Sequence, residues 1–344
     1  MKVLVTGCDG YIGIQLVQVL TKAGHQVSGL DTGYFRSGWL FNGVKWLTSV
    51  VSKDIRDVTI EDVTGFDAVI HLAEISNDPI GQTNPEVTYS INKGGTKKLI
   101  EACKAAGVKR FVYFSSCSIY GENPEVCTEE SPANPLTAYA ECKVLNEKEL
   151  LQQMDENFTP VILRNATAFG ASPRMRFDLV VNNLTGIAWT KKEIKMDSDG
   201  TPWRPLVHIL DISKAALCAI EAPKEAVKGE VFNVGSNSEN YQVKDVADII
   251  AEVIPGCSTS FGTRAGDKRD YKVNFDKIST KLPGFSCDYT VKRGVEDLKK
   301  VFEAIGMGED IFDARHYTRL KQIQYLRQTN QINEKFLWND LDLT

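Results

Sequence analysis

"KVLVTGCDGYIG", residues 2–13, runs an apolar strand straight into a turn with glycines at 7, 10 and 13. The spacing of Gly7, Gly10 and Gly13 is GxxGxxG rather than GxGxxG, but the physical task is similar. Glycine permits a tight turn and lets the backbone approach a pyrophosphate at a helix N-terminus, with Tyr11 and Ile12 inside the same turn. A glycine triad alone proves little, because glycines punctuate ordinary turns too. Here the turn opens a helical pattern, "IGIQLVQVLTKAG", followed by a second strand, "HQVSGLD", that closes on Asp31. An acid in that window is placed to hold the ribose hydroxyls of a dinucleotide. Its carboxylate repels a 2'-phosphate and so favours NAD over NADP, while Arg36 nearby leaves NADP open.

Outward from this unit, short apolar runs alternate with helical patterns. "FDAVIHLAE", "RFVYFSS" and "TPVILRNAT" read as strands, and "INKGGTKKLIEACKAAG" reads as a helix ending at Gly107. Alternation of this kind predicts an α/β fold, a Rossmann-type doubly wound parallel sheet with helices on both faces. We place this NAD-binding domain at residues 1–166, completed by a strand-helix-strand return at about 205–236. A smaller C-terminal α/β substrate lobe takes residues 167–204 and 237–310. Residues 311–344 form a helical tail, with Tyr317, Leu320, Ile323 and Leu326 on one face. Phe336, Leu337 and Trp338 follow close together. Burying each such side chain is worth roughly 1.5–3 kcal/mol, so the tail is expected to pack on the body or on a partner subunit.

Composition narrows the function classes. With 344 residues the chain can build a large core. Its formal net charge of -5 argues against a nucleic-acid or polybasic membrane surface. No apolar run approaches the roughly 20 residues of a membrane span, and the N-terminus enters a strand with no signal-peptide pattern. The eight cysteines are scattered with no CxxC pair, which suits reduced thiols in a cytoplasmic protein. Four separated histidines argue against a structural zinc site, and no metal is expected.

Further candidates follow from strand ends, where ligands bind in open parallel sheets. Asp54 and Ile55 in "KDIRD", and Leu72 and Ala73 in "HLAE", stand at such ends. The plain alternative is a solvated loop acid and ordinary core residues. "YAECK" sets Tyr139 and Lys143 four apart, on one helix face. A free phenol, with a pKa near ~10, is a poor base at neutral pH. An adjacent ammonium and a cationic nicotinamide would both stabilise the phenolate, giving a base closer to working pH. Ser116, in "FSSCSIYG" after a strand, could hydrogen-bond the same substrate oxygen. Capping of the strand end by Ser115, Ser116 and Ser118 is the alternative.

Taken together, TGCDGYIG, Asp31, KDIRD, HLAE, FSSCSIYG and YAECK resemble the extended short-chain dehydrogenase/reductase family, and within it the NAD-dependent nucleotide-sugar epimerases and dehydratases. The resemblance covers about residues 1–305. It implies a catalytic triad of Ser116, Tyr139 and Lys143, with Lys143 also on the nicotinamide ribose and Asn92 below the cofactor. It implies sugar contacts from Thr167, Arg174 and Arg176, and diphosphate contacts from Arg204 and Arg264. Asn182 and Asn183 open a helix that could hold the same diphosphate. It also implies a homodimer through helices around 93–106 and 137–153. Two departures matter. The 4,6-dehydratases carry Thr-Asp-Glu where this chain has Ser116, Cys117 and Ser118, so elimination of water lacks its acid/base pair. The common HLAA reads HLAE, and Glu74 stands either as a substrate-facing acid or as a loop acid. The expected activity is 4-epimerisation of a nucleotide-diphosphate sugar with bound NAD. A 4-dehydrogenase or 4-ketoreductase is the near alternative, and a non-catalytic NAD-binding sensor or scaffold the distant one.

Overall fold

In the computed structural model, residues 1–45, 47, 49–196, 198–263 and 269–339 are described. The strands in chain order are β1 (Lys2–Thr6), β2 (Gln26–Asp31), β3 (Val50–Ser52), β4 (Ala68–His71), β5 (Arg110–Ser116), β6 (Glu122–Cys127) and β7 (Thr159–Asn165). After these come β8 (Thr167–Phe169), β9 (Glu193–Met196), β10 (Trp203–His208), β11 (Val231–Val234), β12 (Asn240–Gln242), β13 (Ser258–Phe261) and β14 (Asp270–Val273). Seven of them form the central sheet in the order β11-β7-β5-β4-β1-β2-β3. Every pairing in it is parallel. The buried runs VLVT, AVIH and FVYFS explain this, since a parallel sheet covered on both faces needs strands that are apolar almost throughout.

The chain winds from β1 outward to β3, then starts again beside β1 at β4. That reversal opens a crevice at the carboxyl ends of β1 and β4, where open α/β sheets bind ligands. The helix Gly13–Lys22 follows β1, and the helix Ile209–Glu221 packs beside it. The helices Thr96–Ala105 and Ala138–Gln153 belong to the crossovers between β4, β5 and β7.

One expectation fails here. The strand at 203–208 does not return to the large sheet. It pairs with β8 and β12 in a separate three-stranded sheet. The large sheet is completed by the helix Ile209–Glu221 and β11 alone. The cause is local: after β7 the strand is interrupted at Ala166, and β8 leaves the large sheet to become a partner for β10. His208, the last residue of β10, caps the following helix through Nδ1, which accepts from the Leu210 amide at 3.2 Å. It also stacks on Tyr289.

In the smaller lobe, the helices Val180–Lys191, Val243–Val253 and Val291–Ile305 pack on one another around Leu184, Ile250 and Val295. Small parallel pairs, β9 with β13 and β6 with β14, complete the strand pairing. The tail packs on the body of its own chain. Ile323, Leu326, Ile332 and Phe336 join the core that contains Tyr34 and Ile55, and Tyr317 joins Phe177 and Phe312. Among the described residues no helix is long and apolar enough to cross a membrane.

Candidate active site

The crevice widens into one cavity of about 1020 Å³ that crosses from the large sheet to the smaller lobe. This is at the upper end of the roughly 300–1,000 Å³ usual for a small-ligand pocket. Gly7, Gly10, Tyr11, Ile12 and Gly13 form its floor at one end. Gly7 has φ +77°, and a Cβ there would lie 2.8 Å from the carbonyl carbon of Leu72. A Cβ on Gly13 would lie 2.1 Å from the Gly7 carbonyl oxygen. Both positions therefore require glycine, and the loop lies flat at the start of the helix Gly13–Lys22. No side chain caps that helix; the amides of Ile14, Gln15 and Leu16 already donate to the Gly10 and Ile12 carbonyls, so those of Tyr11, Ile12 and Gly13, without a partner among the described residues, remain for an anion.

Asp31 sits at the end of β2 and lines the same cavity. Its two oxygens accept from the amides of Asp9 at 3.0 Å and Gly33 at 2.7 Å. Burial and the neighbouring Asp9 push its carboxyl up to about 6. Each carboxylate oxygen has further lone pairs, so hydroxyl donors still find acceptors here. Arg36, which left NADP open, is bound to Asp9 at 2.8 Å and does not line the cavity. Leu72, Ala73, Asp54 and Ile55 line the cavity as well. Asp54, however, is already paired with Arg56 at 2.6 Å.

At the other end the helix Ala138–Gln153 starts under a Thr137 cap, whose hydroxyl accepts from the Ala140 amide at 3.2 Å. Successive turns carry Tyr139, Lys143 and Glu147 inward. Ser116 closes β5 beside them and accepts from the Ser118 amide at 3.1 Å. Ser116, Tyr139 and Lys143 share the cavity wall. Burial pushes the Tyr139 phenol up, the Lys143 charge pulls it down, Glu74 pushes it up again, and a hydrogen bond with Ser116 lowers it; the net direction is upward.

Glu74, read either as a substrate-facing acid or as a loop acid, lines the cavity, but its oxygens are engaged by groups of the protein itself. Its Oε2 lies 2.6 Å from Lys143 Nζ, with both side chains buried. Its Oε1 accepts from the Tyr113 hydroxyl at 2.8 Å, with Asn146 and Thr96 at 3.2 Å. Burial alone would lower the Lys143 ammonium, but Glu74 and Tyr139 outweigh it, and the group is held above its ordinary value. Lys143 also donates to the Phe114 carbonyl. Two of its three donors are engaged, leaving one for a ligand.

Several expected site residues are placed otherwise. Arg174 does not line the cavity. It is buried beneath the segment after β2, donates to the carbonyls of Arg36 and Gly38, and lies over the Trp39 ring. Asn182 is a buried strut: it accepts from the Gly170 amide at 3.0 Å and donates to the Tyr11 hydroxyl at 2.9 Å and the Arg176 carbonyl at 3.0 Å. Its neighbour Asn183 lines the cavity instead. Asn92 lies behind the wall, not on it. Its amide clamps both the N–H and the C=O of Ile75, at 2.8 and 2.9 Å. Arg264 lies outside the described residues.

Thr167, Arg176 and Arg204 do line the cavity. Arg176 is gripped by Asp178, with both contacts at 3.0 Å, and donates to Ser76 at 3.1 Å. Arg204 donates to the carbonyls of Trp203 and Arg269. Reasoning from sequence missed Asp178, Arg269, Phe35 and Arg319, all on the wall. Arg269 stands in the charged run "KRD" and pairs with Asp78 at 2.9 Å. Cys117 turns inward to the Arg164 carbonyl, so the segment that carries an acid pair in dehydratases offers none here. Ser118 Oγ and Asn165 Oδ1 are buried on the cavity wall without a partner among the described residues.

These features fit a dinucleotide: a glycine cradle that no Cβ could share, a carboxylate with acceptors to spare, and orphaned polar atoms at the triad end. Comparison with known proteins agrees. Residues 3–235 match the NAD dependent epimerase/dehydratase family. A UDP-glucose 4-epimerase of Corynebacterium glutamicum is 29% identical over 339 residues, covering 89% of this chain and 97% of that protein. Among solved structures, MoeE5 in complex with UDP-glucuronic acid and NAD is 26% identical with a TM-score of 0.76, over 88% of this chain and 99% of that one. The UDP-glucuronic acid 4-epimerase of Bacillus cereus, in complex with UDP-glucuronic acid and NAD, is 25% identical with a TM-score of 0.75, over 88% and 100%.

Proposed function

The chain belongs to the NAD-dependent epimerase/dehydratase family, and from that premise we propose that it is a 4-epimerase of a nucleoside-diphosphate sugar. It is an NAD-dependent enzyme of the extended short-chain dehydrogenase/reductase type, so the sensor or scaffold alternative falls away. The observation that carries the finer reading is the continuity of the cavity. The Asp31 cleft, the Ser116–Tyr139–Lys143 wall and the arginines of the smaller lobe all face one space. Cofactor and sugar can therefore meet at the phenol.

The chemistry assigned to each group follows from its place. Tyr139 as phenolate takes the proton of the C4 hydroxyl, and Ser116 holds that oxygen by a hydrogen bond. Lys143 keeps a positive charge beside the phenol and turns its remaining donor to the nicotinamide ribose. NAD, when held by the glycine turn and Asp31, would supply the acceptor for the C4 hydride and its donor on return. The ketone formed at C4 turns over between the two transfers, and Tyr139, now a phenol, gives its proton back to the new alkoxide. Arg204, Arg269 and Asn183 line the same cavity, and we assign them to the nucleotide diphosphate. Asp31 provides the NAD preference. The eight free cysteines suit a reducing compartment, and we place the enzyme in the cytoplasm.

The test is incubation of the purified protein with a panel of UDP-, dTDP- and GDP-sugars, hexoses and uronates alike, with NMR of the products. We expect one substrate to give its C4 epimer with no accumulation of NADH. Stoichiometric NADH with a keto sugar would instead establish the dehydrogenase alternative.

A further inference from the structure

One cation on the cavity wall has no counterpart in the pairings above. Arg319, the first residue of the tail helix Arg319–Gln328, is 5% exposed and lines the cavity. Its guanidinium makes no hydrogen bond or ion pair with any described residue. Its contact is the face of the Phe35 ring, 4.1 Å from the centroid. The other wall arginines are engaged: Arg176 by Asp178, Arg269 by Asp78, and Arg204 by backbone carbonyls. Burial, reinforced by the nearby charge of Arg176, pulls Arg319 down to about 9. A buried charge without a partner is costly, so five donors facing a cavity mark a place for an anion.

The anchoring of the tail identifies which anion. Gln322 donates to the Tyr34 carbonyl at 3.0 Å and is itself held by Arg315 at 2.8 Å. The Tyr34 hydroxyl donates to the Phe336 carbonyl, Trp338 Nε1 to the Thr32 carbonyl at 2.7 Å, and Arg56 to the Lys335 carbonyl at 2.8 Å. The tail is thus fastened to the segment directly after Asp31, at the ribose end of the cleft. Arg319 lies close enough to feel the charges of both Asp31, at that end, and the Arg176–Asp178 pair. A dinucleotide with one ribose at Asp31 and its nicotinamide at Tyr139 has its pyrophosphate between them.

We propose that Arg319 binds the pyrophosphate of the bound dinucleotide, which makes the docked tail a wall of the cofactor site. This rests on NAD as the cofactor and is independent of the epimerase outcome. The nucleotide-sugar diphosphate assigned to Arg204 and Arg269 is the other source of the same chemistry, and the test separates the two.

Arg319→Met and Arg319→Gln are compared with the unaltered protein by titration with NAD+, adenosine and UDP, and by the NAD retained per chain after gel filtration. Arg319→Met is expected to weaken NAD+ binding by about 10- to 100-fold, the range of a charge-assisted hydrogen bond, with adenosine and UDP binding unchanged. Arg319→Gln provides the same reading if the Met variant does not fold. NAD+ affinity within twofold of the original would overturn the proposal. So would a loss confined to UDP, which would assign Arg319 to the substrate, or an equal loss for adenosine, which would reduce the residue to a support of the tail.

Discussion

In the proposed reaction Tyr139, Lys143 and Glu74 act as a group rather than singly. Tyr139→Phe keeps the ring and removes the ionisable oxygen. Turnover should fall by roughly 10²–10⁴-fold, the usual effect of losing a general acid/base, while NAD is retained; unchanged turnover would sink the triad assignment. Glu74 makes a second prediction. Its charge counteracts Lys143 at the phenol and holds Tyr139 up. The active form of the base is the phenolate, so activity rises with pH through that group's pKa. Glu74→Gln removes the opposing charge and should move the acid limb of the kcat/KM profile to lower pH, by about one unit, the low end of a neighbouring-charge effect. A limb that stays put or moves upward would contradict this coupling. The Tyr–Lys spacing was legible because i, i+4 residues must share a helix face. The Glu74–Lys143 pair was not, since the two residues, 69 apart in sequence, are joined only when the segment after β4 meets the helix Ala138–Gln153 in the fold.

Elements explain which parts of the site could be read in advance. Regular structure carried the reading: the strand-turn-helix at residues 2–22 and the helix at 138–153 fix the direction of their side chains by period. The irregular stretch 170–179 has no period, so nothing told Arg174, turned under the segment after β2, from Arg176, turned into the cavity. At the start of the helix Val180–Lys191, one residue of rotation takes the cavity from Asn182 to Asn183. The tail lay outside the family pattern, and its apolar stripe foretold packing without a destination. That destination is the rim of the cofactor cleft. Removing everything after Gly308 exposes the partners of Phe312, Tyr317, Ile323, Leu326, Ile332 and Phe336. Each burial is worth roughly 1.5–3 kcal/mol before the entropy of ordering is subtracted. The truncated chain should lose several degrees of melting temperature, at about 2–4 °C per kcal/mol or less for a chain of this size, and retain less NAD. No change in either measurement would show the tail to be dispensable.

At the scale of the whole molecule, a parallel sheet has its switch point at β1 and β4, and one cavity runs from its carboxyl edge to the smaller lobe; in the proposed reaction cofactor and nucleotide sugar share it. The sheet order followed from the alternation of apolar runs and helices. The three-stranded sheet of the lobe did not, because β8 and β12 are three residues each and carry no periodic signal. We propose that the chain forms a homodimer through the helix Ala138–Gln153, on which Leu145 is exposed, and its neighbour Thr96–Ala105. Light scattering at micromolar concentration should return twice the chain mass, and a monomeric mass would count against the pairing. The central claim is that hydride leaves C4 and returns to the same carbon within one closed site. It is tested most directly with a nucleotide sugar carrying deuterium at C4, given to the holoenzyme with no added NAD. The account predicts the C4 epimer with deuterium retained at C4; loss of the label from C4, or a keto sugar formed with one equivalent of reduced cofactor, would contradict it.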